Sequence, residues 1–138
     1  MRQLRFSIAL LLLMCCGGQR AAAAAPEALY GTWRGTSLCT PVRAACRDEV
    51  AVYHLAPSPK PHTVLMTMNK VVEGKEVGMG GTLEYDFDAA TRTLTHEIAT
   101  RDGSRALFRF TWSEKKLNGA LSEVPGGAVI RNIKLEKR

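Results

Sequence analysis

Thr82-Leu83-Glu84-Tyr85-Asp86-Phe87-Asp88 alternates without a break between polar and apolar side chains, and this two-residue period decides the fold class. In an extended strand successive side chains point to opposite faces. Leu83, Tyr85 and Phe87 therefore share one face, while Thr82, Glu84, Asp86 and Asp88 share the other. The first face belongs in a core and the second in water.

Moving outward, the same pattern recurs about every dozen residues between clusters of Gly, Pro, Asp and Asn, with no long apolar repeat at helical spacing. It predicts strands near residues 31–37, 48–55, 62–70, 80–87, 93–99, 105–113, 116–123 and 128–136. Most of the intervening links, such as Glu73-Gly74-Lys75 and Arg101-Asp102-Gly103, are short enough for antiparallel hairpins. An eight-stranded meander removes its two exposed edges by closing on itself. The expected fold is thus all-β, an eight-stranded antiparallel up-and-down barrel, with Gly78-Met79-Gly80-Gly81 as a bulge or bend entering a strand.

Alternation also assigns the interior. Trp33, Phe108, Phe110 and Trp112 point inward, as do Val129, Ile133 and Leu135 in the last strand. Two polar residues share inward parity, Arg131 with the last set and His96 with Leu94 and Ile98. The faces of Met66 and Met68 are not fixed by the pattern.

The N-terminus has a charged start at Arg2 and Arg5, an apolar run from Phe6 to Cys16, and an alanine stretch from Ala21 to Ala25. These are the three parts of a secretory signal, so residues 1 to about 25 (1–25) are read as a cleaved leader, for which a cut after Ala24 fits best, and residues 26–138 as one domain. The apolar run is too short to span a bilayer, and no transmembrane helix is expected in the mature chain. A periplasmic or secreted location follows, with lipid anchoring through Cys15 or Cys16 as the alternative. The chain has 19 Lys and Arg against 13 Asp and Glu. Without Arg2, Arg5 and Arg20 the domain keeps 16 basic residues, and their signs alternate along the chain with no basic block carrying interleaved aromatics. Nucleic acid is therefore not an expected partner.

Cys39 and Cys46 remain after the leader is removed, and an even pair in an exported chain reads as a disulfide. A zinc site would need further ligands, and His54, His62 and His96 are scattered. No Gly-x-Ser-x-Gly elbow, His-Glu-x-x-His helix or phosphate loop is present. Asp48-Glu49 opens a strand where neighbouring carboxylates face opposite sides and stay solvated. No enzyme activity, metal or cofactor is expected.

Gly31-Thr32-Trp33 in the first strand, with a basic residue in the last, is similar to the lipocalin and calycin pattern. The segment from Gly119-Ala120-Leu121 through Ile130-Arg131-Asn132-Ile133 also resembles small bacterial secreted proteins of calycin-like build. The resemblance implies a tryptophan closing one end of the barrel and a last-strand cation across its indole, roles that fall to Trp33 and Arg131. On this reading Tyr85 places its hydroxyl at the rim and His96 is a satisfied interior group. Fatty-acid-binding members of the group carry Arg-x-Tyr in the last strand, whereas Arg131-Asn132-Ile133 lacks the tyrosine.

A rival arrangement places Trp33, Tyr85, His96 and Arg131 around a ligand, with Arg131 and Tyr85 holding a carboxylate and methionines lying along an apolar chain. The leading expectation is a non-enzymatic module for a small hydrophobic ligand. The alternative is a protein-binding or inhibitory envelope module acting on a protein partner through loop 39–46 and its exposed-looking Arg43.

Overall fold

The computed structural model describes residues 25–138; the leader, its cleavage point and the Cys15 or Cys16 anchor lie outside the described residues. After a single 3-10 turn at Glu27–Leu29, the chain forms β1 (Gly31–Cys39), β2 (Glu49–Pro57), β3 (Thr63–Val72), β4 (Lys75–Asp88), β5 (Thr93–Ala99), β6 (Arg105–Ser113), β7 (Lys116–Val124) and β8 (Val129–Lys137). Each strand pairs antiparallel with the next, and β8 pairs back onto β1 to close the barrel. All eight strands and the buried core fall within the described residues, so this part of the chain carries its own closed ladder.

The hairpin links follow from local chemistry. Between β3 and β4, Glu73 and Gly74 both take positive φ, 50° and 76°, the backbone of a two-residue turn whose twist matches the flanking strands. β4 starts at Lys75, five residues before the predicted strand. It pairs with β3 on both sides of a register shift between Thr67 and Asn69, where Met79, Gly80 and Gly81 are inserted opposite Met68. Gly80 and Gly81 sit at φ 122° and 89°, which explains glycine at the expected bulge.

One seam is incomplete. β4 and β5 share only three pairs, Asp86 with Thr95, Phe87 with Leu94 and Asp88 with Thr93. Beyond Asp86 the strands separate, and the His96 imidazole spans the first step of the gap by donating from Nδ1 to the Glu84 carbonyl at 2.7 Å.

The interior is filled in one half. Trp33, Tyr53, Tyr85, Phe110, Leu94, Leu117 and Leu135 are almost fully buried, and Met66 and Met68 also point inward. The ring of Tyr85 lies 6.0 Å from that of Phe110, which meets Tyr53 edge-on at 6.2 Å. In β8 the expected inward Val129 is only partly buried. At the register shift beside Leu121 and Ser122 the neighbouring Ile130 is buried instead.

Candidate binding site

The two ends of the barrel differ. At the end where β1 begins, Leu29 is fully buried and its carbonyl accepts a hydrogen bond from the Trp33 indole Nε1 at 2.9 Å. The Lys137 ammonium stands 4.9 Å from the Trp33 ring and donates to the Ala28 carbonyl at 2.8 Å and to the Tyr30 carbonyl. Burial lowers the Lys137 pKa, because the charged form is partly withdrawn from water. The cation over the indole is therefore Lys137, and the expected pairing of Trp33 with Arg131 is corrected. Antiparallel register is the reason: Trp33 lies opposite Lys137, whereas Arg131 lies opposite Cys39, six residues or about 20 Å further along β1.

Arg131 stands at the opposite end. Its guanidinium donates to the Ser37 hydroxyl at 3.0 Å, the Arg47 carbonyl at 2.9 Å and the Glu49 carboxylate at 3.3 Å. Glu49 also faces Lys70 at 3.6 Å. Both members of the Arg131–Glu49 pair are well shielded, with side chains 17% and 14% exposed, so this is more than a surface ion pair. Glu49 was expected to stay solvated; Ala51, Tyr53 and Leu55 share its parity and point inward, and it follows them.

Beneath this cluster lies a cavity of about 350 Å³. Tyr53, Met68, Met79, Leu83, Phe108 and Leu121 form most of its wall, Ser37, Glu49 and Arg131 its polar side, and Gly80, Gly81, Ile98 and Ala99 border the β4–β5 gap. A volume in the range of small-molecule sites, apolar walls and a few convergent polar groups are the ordinary features of a ligand pocket. Burial and the Glu49 carboxylate push the Tyr53 phenol above its usual range, while Arg131 and the Ser37 hydroxyl act in the opposite sense. Its phenol stays protonated and can donate at neutral pH.

Of the four residues singled out from sequence, only Arg131 lines this cavity. Trp33 belongs to the closed end. Tyr85 is fully buried rather than at a rim, and its hydroxyl donates to the Met68 sulfur at 3.2 Å. It is therefore not arranged to hold a carboxylate with Arg131. His96 lies beside the Tyr85 ring, 5.2 Å between centroids, and satisfies Glu84 across the seam. The members missed were Ser37, Glu49 and Tyr53. Extending the parity of Trp33 by four residues, and that of Ala51 in both directions, would have turned all three inward.

Cys39 and Cys46 are joined by a disulfide. The loop they close is held by Thr40, whose amide donates to the Ile130 carbonyl at 2.9 Å, and by Asp48, which accepts from the Cys39 amide at 2.7 Å. Arg43 folds back to Glu123 and Ser104, each at 3.5 Å, and the large apolar side chain this loop exposes is Val42. On the outer wall, Thr32, His54 and Glu76 are linked in a chain, His54 bonding Thr32 at 3.1 Å and Glu76 at 2.8 Å. This chain lies on an open sheet surface away from the cavity, and its bonds to His54 and Asn69 hold Glu76 below the usual carboxylate range. Among the described residues, no helix is long and apolar enough to cross a membrane and no group of His, Cys, Asp and Glu could hold a metal ion.

Compared with protein-family models, curated proteins and solved structures, the chain matches none.

Proposed function

We propose that this barrel is a non-enzymatic binding module that takes a small, largely hydrophobic molecule into the cavity between Tyr53, Met68, Leu83 and Phe108. The observation that carries the reading is the cavity itself, about 350 Å³ of space that the side chains leave at one end of an otherwise packed interior. Polarizable Met68 and Met79 adapt to varied apolar shapes. Arg131 is already paired with Glu49, so the polar side offers a donor and an acceptor together. This combination favours an uncharged head group, such as an alcohol or amide, over a free carboxylate. The leader-like N-terminus and the disulfide support a periplasmic or secreted site of action, and the eight-stranded architecture supports the lipocalin-like kinship.

Native mass spectrometry and titration with an apolar fluorescent probe test the reading. The expected result is saturable probe binding, one molecule per chain, that Leu83→Trp abolishes by filling the space while the circular dichroism spectrum is retained. A chain that binds no probe and carries no extra mass sinks the proposal.

A further inference from the structure

The large exposed hydrophobic residues among the described part of the chain are Leu38, Val42, Val50, Val72 and Val77, each between 42 and 48% exposed. All five lie at the open end. Leu38 and Val50 sit at the ends of β1 and β2, Val42 on the disulfide loop between them, and Val72 and Val77 on the β3–β4 hairpin. Among the described residues the closed end, formed by similar turns, has none. Scattered apolar residues need no explanation, but their confinement to one rim does.

The outer wall below this rim is basic on one side, and strand register shows how. Val50, Thr36, Lys134 and Asn118 lie in one row across β2, β1, β8 and β7. One row nearer the rim are Leu38, Asn132, Ala120 and Arg109; one row further away are Arg34, Glu136 and Lys116. Four cations thus meet one acid on this wall, and among the described residues Arg34, Arg109, Lys116 and Lys134 make no ion pair. The opposite wall is acidic, with Glu84, Asp86 and Asp88 along the outer face of β4, whereas Glu76 reaches across to His54 on β2 and lies near Arg34.

From this arrangement we infer that the rim at Leu38, Val42 and Val50 docks onto a bilayer containing anionic lipid, with the β1–β8–β7 wall turned toward the head groups. The spacing fits. Two residues along a strand cover about 7 Å, so at a barrel strand tilt of roughly 40° Thr36, beside Lys134, lies about 5 Å and Arg34 about 10 Å below Leu38 along the axis. The polar layer of a bilayer leaflet is on the order of 5–10 Å deep. Aliphatic tips entering the acyl boundary therefore place Lys134 at the level of the phosphates and Arg34 at their outer edge. The acidic β4 wall is held away, which fixes the orientation. The docking surface is separate from the cavity lining, so it stands whether or not the cavity takes a ligand; a docked barrel would open its cavity beside the lipid.

The test is flotation of residues 25–138 with vesicles of phosphatidylcholine alone or with about one third phosphatidylglycerol, at low and high salt. Binding to the anionic vesicles, weakened by salt, is expected. Lys134→Gln and Arg34→Gln should each lower the partition about fivefold. Combined replacement of Leu38, Val42 and Val50 by Ser should lower it more than tenfold, and Asp86→Asn should leave it no weaker. Absence of binding to anionic vesicles overturns the inference, as does binding that survives the triple replacement. Sedimentation velocity without lipid adds a third arm: a dimer dissolved by the triple replacement would assign the rim to a second copy of the chain and overturn it too. Probe titration of the same variants reads the cavity independently, so loss of docking and loss of ligand binding are told apart.

Discussion

The barrel's two ends are built from the same strands, yet one is plugged and the other hollow. At the plugged end the chain before β1 supplies Leu29, and Trp33 and Lys137 lie opposite each other to seal it. At the hollow end, Gly80 and Gly81 form a bulge beside the cavity, β4 leaves β5, and a polar cluster occupies the place of an apolar plug. The difference shows that a single sheet can specify a packed half and a hollow half by where it puts aromatic bulk and where it interrupts the ladder. Packing sets the energy of the first half, whereas a loop staple and one shielded ion pair organise the second.

The comparison can be broken most forcefully at the plugged end. Trp33→Ala removes a fully buried side chain and the indole hydrogen bond, and should cost about 3–5 kcal/mol in denaturant unfolding. A loss under about 1 kcal/mol would mean that the seal is not what stabilises this half. At the other end, replacing Cys39 and Cys46 together by Ser releases an eight-residue loop and should cost about 2–3 kcal/mol. The same change in midpoint should follow from adding reductant to the unaltered protein.

Arg131→Met should cost about 1–3 kcal/mol, because Glu49 and the Ser37 hydroxyl lose their shielded donor. Adding Glu49→Gln should recover part of that loss, and a double-mutant cycle with no coupling would break the pairing on which the neutral-head-group proposal rests. Lys137→Met should have a smaller effect, about 1 kcal/mol, and should alter the Trp33 fluorescence that Arg131→Met leaves unchanged.

The two ends also meet in one pH effect. Burial raises the phenol pKa of both Tyr53, at the cavity, and Tyr85, in the packed core, above the ordinary 10.0. The unfolded chain therefore releases these protons first. The stability they contribute is fully present below pH 10 and declines as the pH rises above it. Absorbance titration of the phenolates should show Tyr85 ionising together with loss of near-ultraviolet circular dichroism, and Tyr85→Phe should shift that unfolding to higher pH. Ionisation in a chain that keeps its native spectrum would contradict the burial argument.

Alternation along the sequence determined the all-β class, the number of strands and nearly all of the interior aromatics, because a two-residue period ties each side chain to a face irrespective of what lies opposite. The same rule turned Arg131 and His96 inward and marked the glycine bulge. Sequence could not say which residues meet across strands, since a face assignment carries no information on level along the barrel axis. That level is set by closure of β8 on β1, which gave Trp33 the cation Lys137 and moved Arg131 about 20 Å away to Glu49. Register likewise gathered Arg34, Lys116 and Lys134, whose signs look evenly mixed along the chain, onto one wall. The hollow itself arises only in three dimensions, because it is the volume left when the bulge in β4 and the unpaired stretch of β5 keep two strands from closing over the space above Tyr85.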